Sequence, residues 1–127
     1  MKKVVFLCIE NSCRSQIAEA FAIIYGKKRI TAFSAGSKPS GTIHPKAIKL
    51  MDEVGYDLSS HKSTSISEIP DIQIDYVISM GCGDSCPSIR ANKLIEWDIP
   101  DPKDLDDTHF RAVRDKIKKE VLSLIEA

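Results

Sequence analysis

The chain has 127 residues, 43% hydrophobic and 28% charged, which suits one domain (1–127) whose core needs no metal or disulfide staple. With 18 Lys+Arg against 18 Asp+Glu the formal net charge is +0, which excludes a broad field for nucleic acid or membrane surfaces and leaves any anion to a local site. The apolar runs Val4 to Ile9 and Ala20 to Tyr25 are too short to span a membrane, and Met1-Lys2-Lys3 opens no signal peptide, so the expectation is a cytoplasmic protein, in the simplest case a monomer.

Lys3 to Leu7 is a short apolar, β-branched run ending at Cys8, the pattern of a buried parallel strand. Ile9 to Ser15 is a polar loop. From Ser15 the spacing of Ile17, Ala20, Phe21 and Ile24 gives a helical face, stopped by Gly26. Ile30 to Ser34 follows as a second strand, closed by Ala35-Gly36. His44-Pro45 opens a second helix, because proline suits a first turn; Ala47, Ile48, Leu50, Met51 and Val54 form its apolar side and Gly55 ends it. Ser59 to Ile69 is polar and yields no element from its pattern. Tyr76 to Met80 is a third strand that runs into the turn-rich Gly81 to Pro87, and Lys93 to Trp97 is a fourth. The prolines of Asp98 to Pro102 make that stretch a loop. A last amphipathic helix runs from about Thr108 to Ile125, with Phe110, Val113, Ile117, Val121 and Leu124 on one face.

This order implies an α/β fold: a three-layer sandwich around a central, mostly parallel four-stranded sheet. Functional loops of such sheets gather at the carboxyl ends of the strands. The loop after Cys8, the turn at Ser34, the loop at Cys82 and the loop from Asp98 to Asp101 would therefore converge.

The cysteines form two tight pairs, Cys8/Cys13 and Cys82/Cys86. In a reducing compartment such pairs point to metal binding, catalysis or redox exchange before structural disulfides. A zinc site lacks further ligands at a suitable spacing, so no metal is expected. Cys8 and Arg14 bracket five residues, Ile9, Glu10, Asn11, Ser12 and Cys13, and Ser15 follows where a helix begins. A loop entering a helix offers inward N–H groups and the positive end of the helix dipole. Arg14 adds a bidentate clamp for a tetrahedral oxyanion. The same donors stabilise a thiolate at Cys8, with Ser12 and Ser15 in reach of the sulfur. A thiolate beside such a cradle implies nucleophilic attack on phosphorus or arsenic.

Cys8-Ile-Glu-Asn-Ser-Cys-Arg-Ser-Gln followed by Ile17-Ala-Glu19-Ala resembles the signature of arsenate reductases related to low-molecular-weight protein tyrosine phosphatases. Ser34-Ala-Gly36, Glu53-Val-Gly55, the Cys82/Cys86 loop, Trp97, Asp101-Pro102 and Arg111-Ala-Val-Arg114-Asp115 match in order, so the resemblance spans the chain. It implies a relay in which Cys8 attacks arsenate, Cys82 attacks Cys8 and Cys86 attacks Cys82, with thioredoxin or a similar thiol protein as reductant. It also implies Asp101 as general acid; Lys103 stands where the phosphatases carry an aromatic wall. Asn11, Glu19 and Ser34 match positions that support the loop, in some members around a potassium ion, a place the Lys62 ammonium could fill here. Cys13 has no step in the relay and reads as loop packing. Glu10 replaces a glycine of many members and is expected to point outward or pair with a cation such as Lys38 or Lys62. His44, His61 and His109 read as capping or surface residues. An aryl phosphate phosphatase with spare thiols, and a non-catalytic oxyanion or thiol sensor, remain alternatives.

Overall fold

The computed structural model describes residues 1–81 and 89–126. Four strands form one wholly parallel sheet in the order β2-β1-β3-β4: β1 Lys2–Cys8, β2 Ile30–Gly36, β3 Ile74–Ser79 and β4 Ala91–Glu96. Three helices accompany it, α1 Arg14–Tyr25, α2 Pro45–Asp52 and α3 Asp107–Glu126. β1 is central, paired with β2 on one side and β3 on the other, and is buried on both faces. That is why its sequence reads as a continuous apolar run instead of an alternation. Val4 and Phe6 face the main core with Ile17, Phe21, Leu50, Met51, Phe110 and Ile117 from the three helices. Val5 and Leu7 face a smaller cluster with Ala35, Ile74 and Val77. Ile66, Ile69 and Ile89 cover that second face, so the third layer is built from irregular chain and the short 3₁₀ turn at Ile66–Glu68, whereas the turn at Leu58–Ser60 buries Leu58 in the main core on the helix side.

The chain leaves β1 toward β2 and later crosses to the far side for β3, so the strand order reverses at β1. In parallel sheets the crevice at such a reversal, beyond the carboxyl ends of the strands, is where ligands bind. Cys8 is the last residue of β1.

Boundaries differ from the sequence reading where burial is one-sided. β3 and β4 start at Ile74 and Ala91, two residues earlier than expected, because those residues pair with each other. β4 is an edge strand exposed over Asn92, Lys93 and Leu94, so its pattern is weak. α3 starts one residue early, at Asp107, because the Asp106 carboxylate accepts the His109 N–H at 2.9 Å and caps the helix.

α2 and α3 are clasped by Glu53, just past the end of α2. Its carboxylate accepts from Arg111 Nη2 and from Arg114 Nη1, both at 2.8 Å, and Arg114 Nη1 also donates to Leu50 O. The hydrogen bonds from Arg111 and then Arg114 hold the Glu53 carboxyl at about 2. A depressed carboxyl contributes stability that is present above the unfolded value of about 4.3 and lost as pH falls toward 2. Glu53→Gln should therefore lower the melting temperature at neutral pH and flatten its decline across that acid window. A decline parallel to wild type would mean that the clasp adds nothing to folding.

Candidate active site

The loop from Ile9 to Cys13 has its carbonyls turned outward. Ile9 O accepts from Lys38 N at 2.8 Å, Glu10 O from Ser40 N at 3.0 Å, and Ser12 O from His44 N at 3.0 Å. Asn11 O accepts from Gln16 Nε2 at 3.1 Å. Since a trans peptide sets N–H opposite C=O, the N–H groups of the following residues turn inward. None of the backbone N–H groups of Glu10, Asn11, Ser12 and Cys13 finds an acceptor among the described residues. α1 adds to this end, for Cys13 at its N-cap supplies no side-chain cap and the first turn holds no acidic residue. The unmet donors and the dipole are left for an external anion.

Asn11 makes the reversal possible. It is fully buried and has φ 50, a left-handed conformation that asparagine tolerates better than most residues. Its Oδ1 accepts from Gln16 Nε2 and Thr64 N, at 2.8 and 2.7 Å. That fixes the amide, so Nδ2 donates to Ser15 Oγ at 2.8 Å. The Ser15 hydroxyl then has its own proton free for Cys8 Sγ, which lies 2.8 Å away. Cys8 is 4% exposed. Gly36 and Gly81 leave room for this packing. A Cβ on Gly36 would fall 2.4 Å from Ile9 O, and one on Gly81, itself at φ 79, would fall 2.2 Å from Arg14 Nη1.

Arg14 is buried; its Nη1 donates to Ile99 O at 3.0 Å, and its Nη2 lies 3.8 Å from Asp101 Oδ2. Cys8, Ile9, Glu10, Ser12, Cys13, Arg14, Asp101 and Lys103 line a cavity of about 70 Å³. A water occupies about 30 Å³ of the liquid, so this is room for one small tetrahedral ion. A larger groove of about 560 Å³, along Ile66 to Ile74 and Ile89-Arg90, carries none of these groups.

Cys8, Ile9 to Ser15 and Asp101 thus meet at one place, as the convergence of strand ends predicts. Cys82 and Cys86 lie outside the described residues; Gly81, which precedes them, lies against Arg14. Cys13 packs into the main core, and burial pushes its thiol up to about 12, partly offset by a Ser12 hydrogen bond. That is a packing residue's environment. Glu10 pairs with Lys103 Nζ at 3.4 Å and not with Lys38 or Lys62.

The loop support is where sequence reasoning fell short. Ser34 Oγ donates to Glu19 Oε1 at 3.0 Å, but Asn11 and Glu19 are joined through Gln16 and His61. His61 Nδ1 stands 2.8 Å from Gln16 Oε1 and 3.1 Å from Glu19 Oε1. The Gln16 amide oxygen can only accept, so Nδ1 carries a proton. Tyr56 OH meets Nε2 at 2.6 Å, and burial, then Glu19 and Asp57, push its ionisation up, keeping the phenol protonated. The Lys62 side chain is exposed and the residue joins only through its carbonyl, which accepts from Gln16 Nε2 at 2.8 Å. Hence His61, and not the Lys62 ammonium, faces Glu19. His44 and His109 match their reading: His44 Nδ1 accepts from Lys46 N at the start of α2, and His109 pairs with Asp106 on the surface. Gln16 sits inside the quoted signature, the one signal that could have exposed the network.

Residues 3–127 match the family described as low molecular weight phosphotyrosine protein phosphatase. The chain is 41% identical over 128 residues to a glutaredoxin arsenate reductase of Synechocystis sp., covering 98% of this chain and 97% of that one. It is similar to a solved arsenate reductase in the phosphate binding state, with TM-score 0.90 and 40% identity over 99% of this chain and 98% of that one. It is also similar to a thioredoxin-dependent arsenate reductase of Corynebacterium glutamicum, with TM-score 0.79 and 28% identity over 99% of this chain and 61% of that one.

Because Gly81 leaves the Arg14 guanidinium its place, Gly81→Ala should weaken binding of inorganic phosphate by about tenfold or more, the worth of one charge-assisted hydrogen bond. Calorimetric titration reads this directly, and an unchanged affinity would remove Arg14 as the anion's clamp.

Proposed function

The chain belongs to the low molecular weight phosphotyrosine protein phosphatase family, and on that premise we propose that it reduces arsenate to arsenite through Cys8, Cys82 and Cys86. The observation that carries this reading is the buried Cys8 thiol at the head of a loop whose N–H groups and Arg14 converge on a cavity sized for one tetrahedral ion. Arsenate fits that chemistry, and two related proteins, one of them at 41% identity, bear the name of arsenate reductase.

The electrons balance as follows. Cys8 Sγ bonds to arsenic, and one arsenate oxygen leaves as water, with Asp101 at the cavity wall as proton donor. The Cys82 thiolate attacks Cys8 Sγ. The S–As bond breaks with its electron pair staying on arsenic, which leaves as arsenite. Cys86 then attacks Cys82, releasing Cys8 and leaving a Cys82–Cys86 disulfide. A thioredoxin-like dithiol protein reduces it. Glutaredoxin is the second reading for this last step, favoured by the name of the Synechocystis relative.

A potassium ion does not fit the loop support as built. Glu19 Oε1 already accepts from Ser34 with His61 Nδ1 3.1 Å away, and Asn11 Oδ1 accepts from Gln16 and Thr64. We propose that the enzyme needs no cofactor and that the His61 N–H does the work of a cation at Glu19.

Arsenite release should be seen in wild type with a thioredoxin or a glutaredoxin–glutathione system, and be lost in Cys82→Ser; comparison of the two systems identifies the donor. No release from either protein, with aryl phosphate hydrolysis intact in both, would make this a phosphatase. Exchanging sodium for potassium at equal ionic strength should leave the melting temperature unchanged, whereas His61→Ala should cost about 1–3 kcal/mol, the range for stranding buried partners. A potassium-specific rise in wild type would restore the ion.

A further inference from the structure

Two charged side chains that anion binding alone does not call for stand over the cavity. Glu10 lies in the loop that cradles the anion, with its side chain 42% exposed, and Lys103 lies across from it, 53% exposed. Their charged ends are 3.4 Å apart, and both residues line the cavity with Cys8 and Arg14. We propose that the Glu10–Lys103 pair is a strap across the mouth of the site that admits free tetrahedral oxyanions and refuses their organic monoesters. The inference deepens the reductase reading and rests on it for the identity of the anion.

The strap is held from both sides. Glu10 O is fixed by Ser40 N and by Ser63 Oγ, at 3.0 Å each. Lys103 is fixed by its backbone N–H, which donates to Asp101 Oδ1 at 3.0 Å, and by Pro102, which is buried and has a locked φ. The segment that carries Lys103 is tied again to Arg14 through Ile99 O and Asp101. Only the lysine stem is left to cross the mouth. The hydrogen bond to Glu10, and after it the Glu10 charge, raise the Lys103 ammonium's pKa, so it stays charged.

An anion seated on the loop N–H groups and Arg14 directs its remaining oxygen toward the mouth. A bare oxygen fits beneath the pair. An ester group in that place must push Lys103 off Glu10. An exposed ion pair is weak in itself, but the parted Glu10 carboxylate would then face a dianion without Lys103 to neutralise it, and like charges at short range repel. None of the described residues lining the cavity is aromatic, so an aryl group gains no stacking from them in return. The pair also makes a carboxylate tolerable beside an oxyanion loop, because Lys103 cancels its charge.

The test is calorimetric titration of the reduced full chain with inorganic phosphate and with phenylphosphonate, at a pH where both are dianions. Wild type is expected to bind phosphate at least about tenfold more tightly. In Glu10→Gly/Lys103→Ala the two affinities should come within about threefold of each other. Glu10→Gln, which breaks the pair and leaves the bulk, should move the ratio in the same direction. Wild type that binds both ligands alike, or neither, overturns the strap, as does a ratio unchanged in both variants. Because binding is the readout, a missing reductase activity would sink the proposed function and leave this result intact.

Discussion

The outward turn of the carbonyls from Ile9 to Ser12 is the constraint on which the rest of the site depends. Peptide planarity means that the N–H groups can face the anion only if the carbonyls face away, and each outward carbonyl then needs a donor. Those donors come from distant parts of the chain: Lys38, Ser40 and His44 after β2, and Gln16 in α1. The stretch after β2 thus has a clear task although it forms no regular element until Pro45. A loop of this shape would collapse without it, because buried carbonyls left unpaired cost about 1–3 kcal/mol each.

From this follows the demand on Asn11 and on the layer behind it. A left-handed residue inside the loop must satisfy its own amide while fully buried, and it does so with Gln16, Thr64 and Ser15. Thr64 is in turn held by Ser34 O, and Gln16 by His61 and Lys62 O. A continuous path of hydrogen bonds thus runs from the Cys8 sulfur through Ser15, Asn11 and Gln16 to His61, whose Nδ1 also faces the Glu19 carboxylate that Ser34 holds. Every donor on it has an acceptor, which is the condition under which a buried polar network rigidifies its surroundings. The Cys8 thiol is positioned by the sheet below and by this network behind.

The parts legible in the sequence are those whose physics is local. β1 could be read from its doubly buried run, α1 and α3 from periodicity, and the Cys8–Arg14 loop from a strand passing directly into a helix. What stayed hidden depends on partners far along the chain. Ser59 to Ile69 shows no period because it is held by hydrogen bonds to the anion loop and by Ile66 and Ile69 against the back of the sheet. His61 in such a stretch therefore reads as a capping or surface residue, although its side chain is largely buried. Glu10 does pair with a cation, but its identity is hidden in the sequence for a related reason. Lys103, 93 residues away, reaches it only because Pro102 and Asp101 bring that loop over the cavity.

The zero net charge of the chain is compatible with a site for a multiply charged anion, because the attraction at this cavity need not come from net charge. Arg14 faces Asp101 and Lys103 faces Glu10, so each cation at the cavity is balanced by a carboxylate. What is left unbalanced is the set of inward backbone N–H groups, the N-terminal dipole of α1 and the guanidinium donors that Ile99 O does not use. Dipoles act over short range and along fixed directions, so they reward an ion of the right shape much more than one of merely the right sign. A site built this way places its specificity in the arrangement of a neutral loop. That arrangement survives only while the donors behind its carbonyls stay in place.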